Sequence, residues 1–193
     1  MKVLLLDADG VLFKSEVLFS TLFSQEHEVP VEEVSEFFKG PFAQCQTGEK
    51  DMKDELPAYL EKWKWNGDFN SFLEYWFESE FNFDEKLNET VQRLREKGIL
   101  CCLASNNEKY RATHLEKRLR EMDVLDRYYF SWSLNAKKNK PEFFEKIIQE
   151  LGVLAEDIVF VDDEQQNIDA AKSLGIDARL YHDAVLEELL TTI

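Results

Sequence analysis

Soft metal ligands are scarce in this 193-residue chain, which has three cysteines and three histidines. Cys45, Cys101 and Cys102 form no Cys-x-x-Cys pair, so neither a zinc ribbon nor a thioredoxin-like redox motif is present. An odd count without a spacing pattern also argues against a disulfide framework and for a reducing, cytoplasmic compartment. His27, His114 and His182 are scattered without metal-ligand spacing and read as structural or surface residues. Long apolar runs are missing as well. The first run, 3–6, is broken by Asp7, and nothing approaches the roughly 20 apolar residues of a membrane span. The opening residues are too short and too acidic a stretch for a secretory signal. Bases are outnumbered, 23 against 39 acids, giving a net charge of −16. Such a field repels nucleic acid and anionic membranes, so neither is an expected partner. It also repels a phosphate substrate, so any phosphate site needs its own local cations.

What remains is an ordinary globular composition, 44% apolar and 32% charged, long enough for one core plus a small lobe. Strand-like apolar runs fall at 3–6, 99–104, 128–132 and 158–161, with a weaker one at 178–181. Cys101 and Cys102, adjacent in the second run, are expected on opposite faces of a buried strand. Helical patterns lie between the later runs. Residues 85–97 end at Gly98, residues 141–151 begin at Pro141 and end before Gly152, and residues 167–174 end before Gly175. This alternation predicts an α/β fold, a parallel sheet covered by helices.

The alternation is interrupted between the first two strands. Residues 15–84 hold helical patches at 15–28, 31–39, 49–62 and 68–80 and no convincing strand. Pro57 is expected to split the third patch or to start a new helix. The reading is a small helical lobe, 15–84, inserted into a core made of 1–14 and 85–193. Its aromatic residues form a helical core, with the region of Trp63 and Trp65 a candidate for lining a pocket at the junction.

Four polar signals stand at strand ends or helix starts. Asp7-Ala8-Asp9-Gly10 follows the first strand. Positions i and i+2 share a strand face, so both acids meet at its carboxyl edge, where open parallel sheets bind ligands. Two acids held close need a cation or a shared proton. Ser105-Asn106-Asn107 follows the second strand, where the Ser105 hydroxyl and helix-start N–H groups suit an anion. Lys140 precedes Pro141 at a helix start, well placed for a phosphate oxygen; Lys137 and Lys138 beside it either share that phosphate binding or form a solvated loop, and the proline favours Lys140. Asp162-Asp163 ends the fourth strand, with Asn167 beyond. Oxygen-rich acids without thiolate or imidazole suit Mg2+, held by two or three carboxylates, Asp7 and Asp162 with or without Asp163.

Together, in this order, Asp7 and Asp9, Ser105, Lys140 of Lys-Pro-x-x-Phe, and Asp162-Asp163 with Asn167 resemble the haloacid dehalogenase (HAD)-like hydrolase superfamily. The resemblance implies a Rossmann-like, three-layer core with an inserted helical cap closing over the site. It implies a Mg2+-dependent phosphatase acting on a small phosphorylated metabolite. Asp7 would attack phosphorus to form an aspartyl-phosphate, and Asp9 would protonate the leaving oxygen and then activate water. The metal would be held by Asp7, the Asp9 main-chain carbonyl and Asp162, with Asp163 bound directly or through water. Ser105 and Lys140 would stabilise the transferring oxygens; Asn106 either joins them or serves as a helix-start residue. Val11, Lys14 and Glu164 depart from the family's usual threonine, acid and small hydroxyl residue. A sugar phosphomutase would use the same residues. Haloacid dehalogenation needs no general acid, so Asp9 disfavours it, and a non-catalytic binding protein is disfavoured because every motif is intact. Arg111 and Arg118 are expected to make surface contacts. Substrate identity and oligomeric state are left open.

Overall fold

A computed structural model describes residues 2–15 and 17–192. Five strands form one parallel sheet: β1 (Val3–Leu6), β2 (Leu100–Ser105), β3 (Arg127–Phe130), β4 (Ile158–Asp162) and β5 (Asp177–Leu180), in the order β3-β2-β1-β4-β5. The central strand β1 pairs with both β2 and β4 and is buried along its whole length, which is why it reads as an unbroken Val-Leu-Leu-Leu run.

Between β1 and β2 the chain forms α1 (Phe19–His27), α2 (Val31–Lys39), α3 (Pro41–Cys45), α4 (Met52–Lys62) and α5 (Phe69–Ser79), and then α6 (Glu85–Glu96) returns to the sheet. After β2 comes α7 (Lys109–Glu121); α8 (Ser131–Leu134) and α9 (Pro141–Leu151) lie between β3 and β4. α10 (Gln165–Lys172) joins β4 to β5, and α11 (Val185–Thr192) follows β5.

Side-chain alternation divides the sheet into two cores. Leu4, Leu6, Cys101 and Leu103 pack with α6, α7 and α11 on one face. Val3, Leu5, Cys102 and Ala104 pack with α9 and α10 on the other. The adjacent cysteines therefore do point to opposite layers, both fully buried as free thiols. A third cluster belongs to the inserted helices and is dense in rings: Phe19, Phe23, Phe37, Trp63, Phe72 and Trp76. Phe72, Leu73, Trp76 and Phe77 recur at helical spacing along α5 and are all buried.

Several local expectations need correction. Pro57 neither splits nor starts a helix; it lies inside α4. The cost of its missing N–H is carried by Met52, Leu56 and Leu60, which bury one face of the helix across that point. The third strand ends at Phe130, because Ser131 and Trp132 already turn into α8. Trp63 is sealed inside the inserted cluster with Trp65 packed against it; the tryptophan that reaches the junction is Trp76.

Candidate active site

The carboxyl edge of β1, β2 and β4 opens into a cleft of about 980 Å³, roofed by residues of the inserted helices that include Phe19, Phe38, Phe42 and Trp76. Asp7 continues β1, its N–H donating to the Val161 carbonyl at 3.0 Å, and Asp162 ends β4. Parallel register sets these two acids side by side. Asp163 completes a trio in which one carboxylate oxygen from each acid lies within 4.8 Å of the other two.

The turn that permits this is built on Gly10. Its φ is +80°, and a Cβ there would stand 2.2 Å from Asp163 Oδ2. Glycine is thus needed both for its backbone conformation and for the close approach of the acid. Asp162 is held from two sides: Glu164 N–H donates to its Oδ1 at 2.8 Å and Asn167 Nδ2 at 2.9 Å.

Three acids this close, two of them buried, demand positive charge. Lys138 supplies part of it. Its Nζ lies 2.5 Å from Asp7 Oδ1 and 2.7 Å from Asp162 Oδ2, and its side chain is 3% exposed. Burial pushes Lys138 down, but the two acids outweigh it and hold the ammonium charged. One cation is not enough for three carboxylates. Burial, with Asp162 and Asp9 adding to it, pushes Asp7 well above the usual carboxylate range despite Lys138. Burial and the neighbouring Asp162 raise Asp163 as well. An all-oxygen donor set carrying surplus negative charge fits a hard divalent cation.

The lysine of this site is not the one expected. Lys140 is exposed at the N-cap of α9 and does not line the cleft. A turn joins the Lys140 N–H to the Lys137 carbonyl at 3.0 Å, and the Lys138 N–H donates to Asn106 Oδ1 at 2.9 Å. Those two bonds turn Lys138 inward and leave Lys140 outside. Lys137 also reaches the cleft wall, donating to Gln46 Oε1 at 2.9 Å.

Ser105, 1% exposed, ends β2 at the cleft and accepts from Asn107 Nδ2 at 2.7 Å. Asn106 lines the cleft too; besides holding the Lys138 loop, its carbonyl accepts from Gln46 Nε2 at 2.8 Å. Gln46, just after α3, is thereby bonded to two loops of the sheet edge.

Asp9 lines the same cleft, with its side chain half exposed. Arg111 grips it with two bonds, Nη2 to Oδ1 at 2.6 Å and Nη1 to Oδ2 at 2.7 Å. Burial raises Asp9, but the guanidinium prevails and holds it below the usual carboxylate range. Arg111 is therefore no surface residue: it is buried, and it shares its charge with Glu80 at 3.3 Å. Arg118 does make an outer contact, with Glu78 at 2.5 Å.

An acid cluster with a buried lysine at the carboxyl edge of an open parallel sheet defines an α/β enzyme core. The family model for haloacid dehalogenase-like hydrolases matches residues 1–175, and the chain belongs to that family. A phosphorylated carbohydrates phosphatase of Thermotoga maritima is 25% identical, over 94% of this chain and 84% of its own length. A HAD family enzyme of Bacteroides thetaiotaomicron, solved with magnesium and inorganic phosphate, superposes with a TM-score of 0.77 at 20% identity, covering 94% of each chain. A predicted HAD-like family hydrolase of Porphyromonas gingivalis gives 0.75 at 18% identity over 98% of each. These structures share the fold.

Proposed function

We propose that the protein is a Mg2+-dependent phosphatase that hydrolyses a small phosphorylated metabolite through a phosphoryl group carried on Asp7. The observation that carries this reading is the convergence of Asp7, Asp162, Asp163 and Lys138, with Asp9 lining the same cleft. The phosphate-bound and magnesium-bound state of the Bacteroides enzyme and the activity of the Thermotoga relative support it. Asp7, Asp162, Asp163 and the main-chain carbonyl of Asp9 would hold the metal. When bound, Mg2+ supplies charge that offsets repulsion between these acids and a phosphate dianion.

The chain's own groups account for the remaining steps. Asp7 attacks phosphorus and the ester P–O bond breaks; Asp9, held ionised at rest by Arg111, takes up a proton from solvent as the substrate phosphate enters and delivers it to the departing oxygen. Asp9 then takes a proton from water as the water attacks the acyl phosphate, releasing inorganic phosphate and restoring Asp7. Lys138 and the Ser105 hydroxyl stabilise the transferring oxygens, and Asn106 orders the Lys138 loop. Residues 15–84 act as a cap that walls the leaving group from water.

The test is Mg2+-dependent phosphate release from p-nitrophenyl phosphate and a panel of phosphorylated metabolites, wild type beside Asp7→Asn. Metal-dependent release that the variant loses supports the reading. Substrate turnover in which the phosphoryl group passes to another hydroxyl without release of phosphate identifies a mutase instead.

A further inference from the structure

Arg111 occupies an unfavourable place by elementary criteria. It is the third residue of α7, where the helix dipole opposes a cation, and it is 6% exposed, where a guanidinium is costly unless paired. Its partners offset both costs. Besides the two-pronged bond to Asp9, Nη1 donates to Asn107 Oδ1 at 2.9 Å and Nη2 lies 3.3 Å from Glu80 Oε2. Glu80 caps the end of α5, and the same Oε2 accepts from Trp76 Nε1 at 2.8 Å. Contacts therefore run without a gap from Trp76 on the cleft wall through Glu80 and Arg111 to Asp9.

We propose that Arg111 is a positioning residue for the reaction: its planar fork fixes the Asp9 carboxyl at the cleft, and Glu80 ties that hold to the inserted helices. What Asp9 does in the reaction rests on the phosphatase reading above; the tie itself does not. A carboxylate offers about four acceptor sites; the fork takes two and Asn107 Nδ2, 3.5 Å from Oδ2, a third, which leaves a site on Oδ1 to carry the proton for a leaving-group oxygen or to accept one from a water. Arginine is required for this, because a lysine ammonium carries the charge but cannot fix both oxygens in one plane.

The test compares phenyl phosphate with p-nitrophenyl phosphate. Nitrophenolate leaves without a proton far more readily than phenolate, so Asp9→Asn costs the phenyl ester more and sets the reference pattern. Arg111→Lys is expected to reproduce it, with kcat for the phenyl ester falling about tenfold further than for the nitrophenyl ester and KM unchanged within about twofold. Glu80→Gln shifts both in the same direction by less, since it acts through Arg111. Equal loss on both esters, or a change confined to KM, overturns the positioning role. Hydrolysis of neither ester by the wild type counts against the phosphatase reading instead, and the tie is then judged by thermal denaturation of Asp9→Asn, Arg111→Lys and the double variant. A double variant less destabilised than the sum of the singles supports the tie; additivity overturns it.

Discussion

Lys138 and Asp7 meet at 2.5 Å where neither side chain is more than 7% exposed, and Asp162 closes on the same ammonium at 2.7 Å. The candidate nucleophile is thus paired, inside the protein, with a lysine that also binds the neighbouring acid. Replacing Lys138 by Met is expected to lower kcat by about 10²–10³, as for other single charge-stabilising donors. Lys140→Met, on the exposed N-cap of α9, leaves kcat within about twofold of wild type. Steady-state kinetics of the two variants side by side decides which lysine serves the site.

Removal of magnesium exposes the same imbalance of charge. Asp7, Asp162 and Asp163 each hold one carboxylate oxygen within 4.8 Å of the others, so a cation that binds the folded state raises its stability. The gain is about 2.7 kcal/mol at a metal concentration one hundred times Kd. Magnesium should raise the Tm of the wild type, and Asp162→Asn should abolish most of that rise. An equal rise in both proteins would place the metal elsewhere.

Gly10→Ala tests the turn. At φ +80° a side chain is strained, and its Cβ would fall 2.2 Å from Asp163 Oδ2. The backbone strain should cost about 1 kcal/mol or more, readable by urea denaturation. Displacement of Asp163 should raise the magnesium concentration needed for half-maximal activity. A variant with unchanged metal dependence would separate Asp163 from the metal.

Glu108 gives a pH-dependent prediction. It is 1% exposed at the N-cap of α7, accepting from the Tyr110 and Arg111 N–H groups, and burial pushes it up to about 7. A carboxyl raised on folding binds its proton more tightly in the folded state. Its contribution to stability is therefore full below the unfolded value, near 4.5, and is lost as pH rises towards 7. Glu108→Gln stays uncharged, so the Tm difference between variant and wild type should move in the variant's favour from pH 5 to pH 8. A difference that stays flat would show that Glu108 is ionised throughout.

Much of the sheet was legible because buried parallel strands leave continuous apolar runs, as at Val3–Leu6 and Ile158–Val161 of β4. Asp7 and Asp162 were legible for the same reason, being the points where those runs stop. The choice between Lys138 and Lys140 was not. Proline at a helix start is a local signal and favoured Lys140, whereas the bond from the Lys138 N–H to Asn106 Oδ1 is made across 32 positions of sequence. Arg111 was missed although a signal existed. An arginine in the first turn of a helix opposes the dipole, and its side chain leans back towards the helix N-terminus, here the cleft edge of β2. Pro57 failed in the opposite sense, because the packing of α4 overrode a correct local rule.

The central claim is that the phosphoryl group passes through Asp7. Acid quenching of the protein during turnover of p-nitrophenyl phosphate with magnesium, followed by peptide mass analysis, tests it most directly. The account predicts one phosphoryl group on the peptide containing Asp7, absent in Asp7→Asn and lost when the quench is delayed past substrate exhaustion. Full hydrolytic activity in Asp7→Asn, or a phosphoryl group found on another residue, would contradict it.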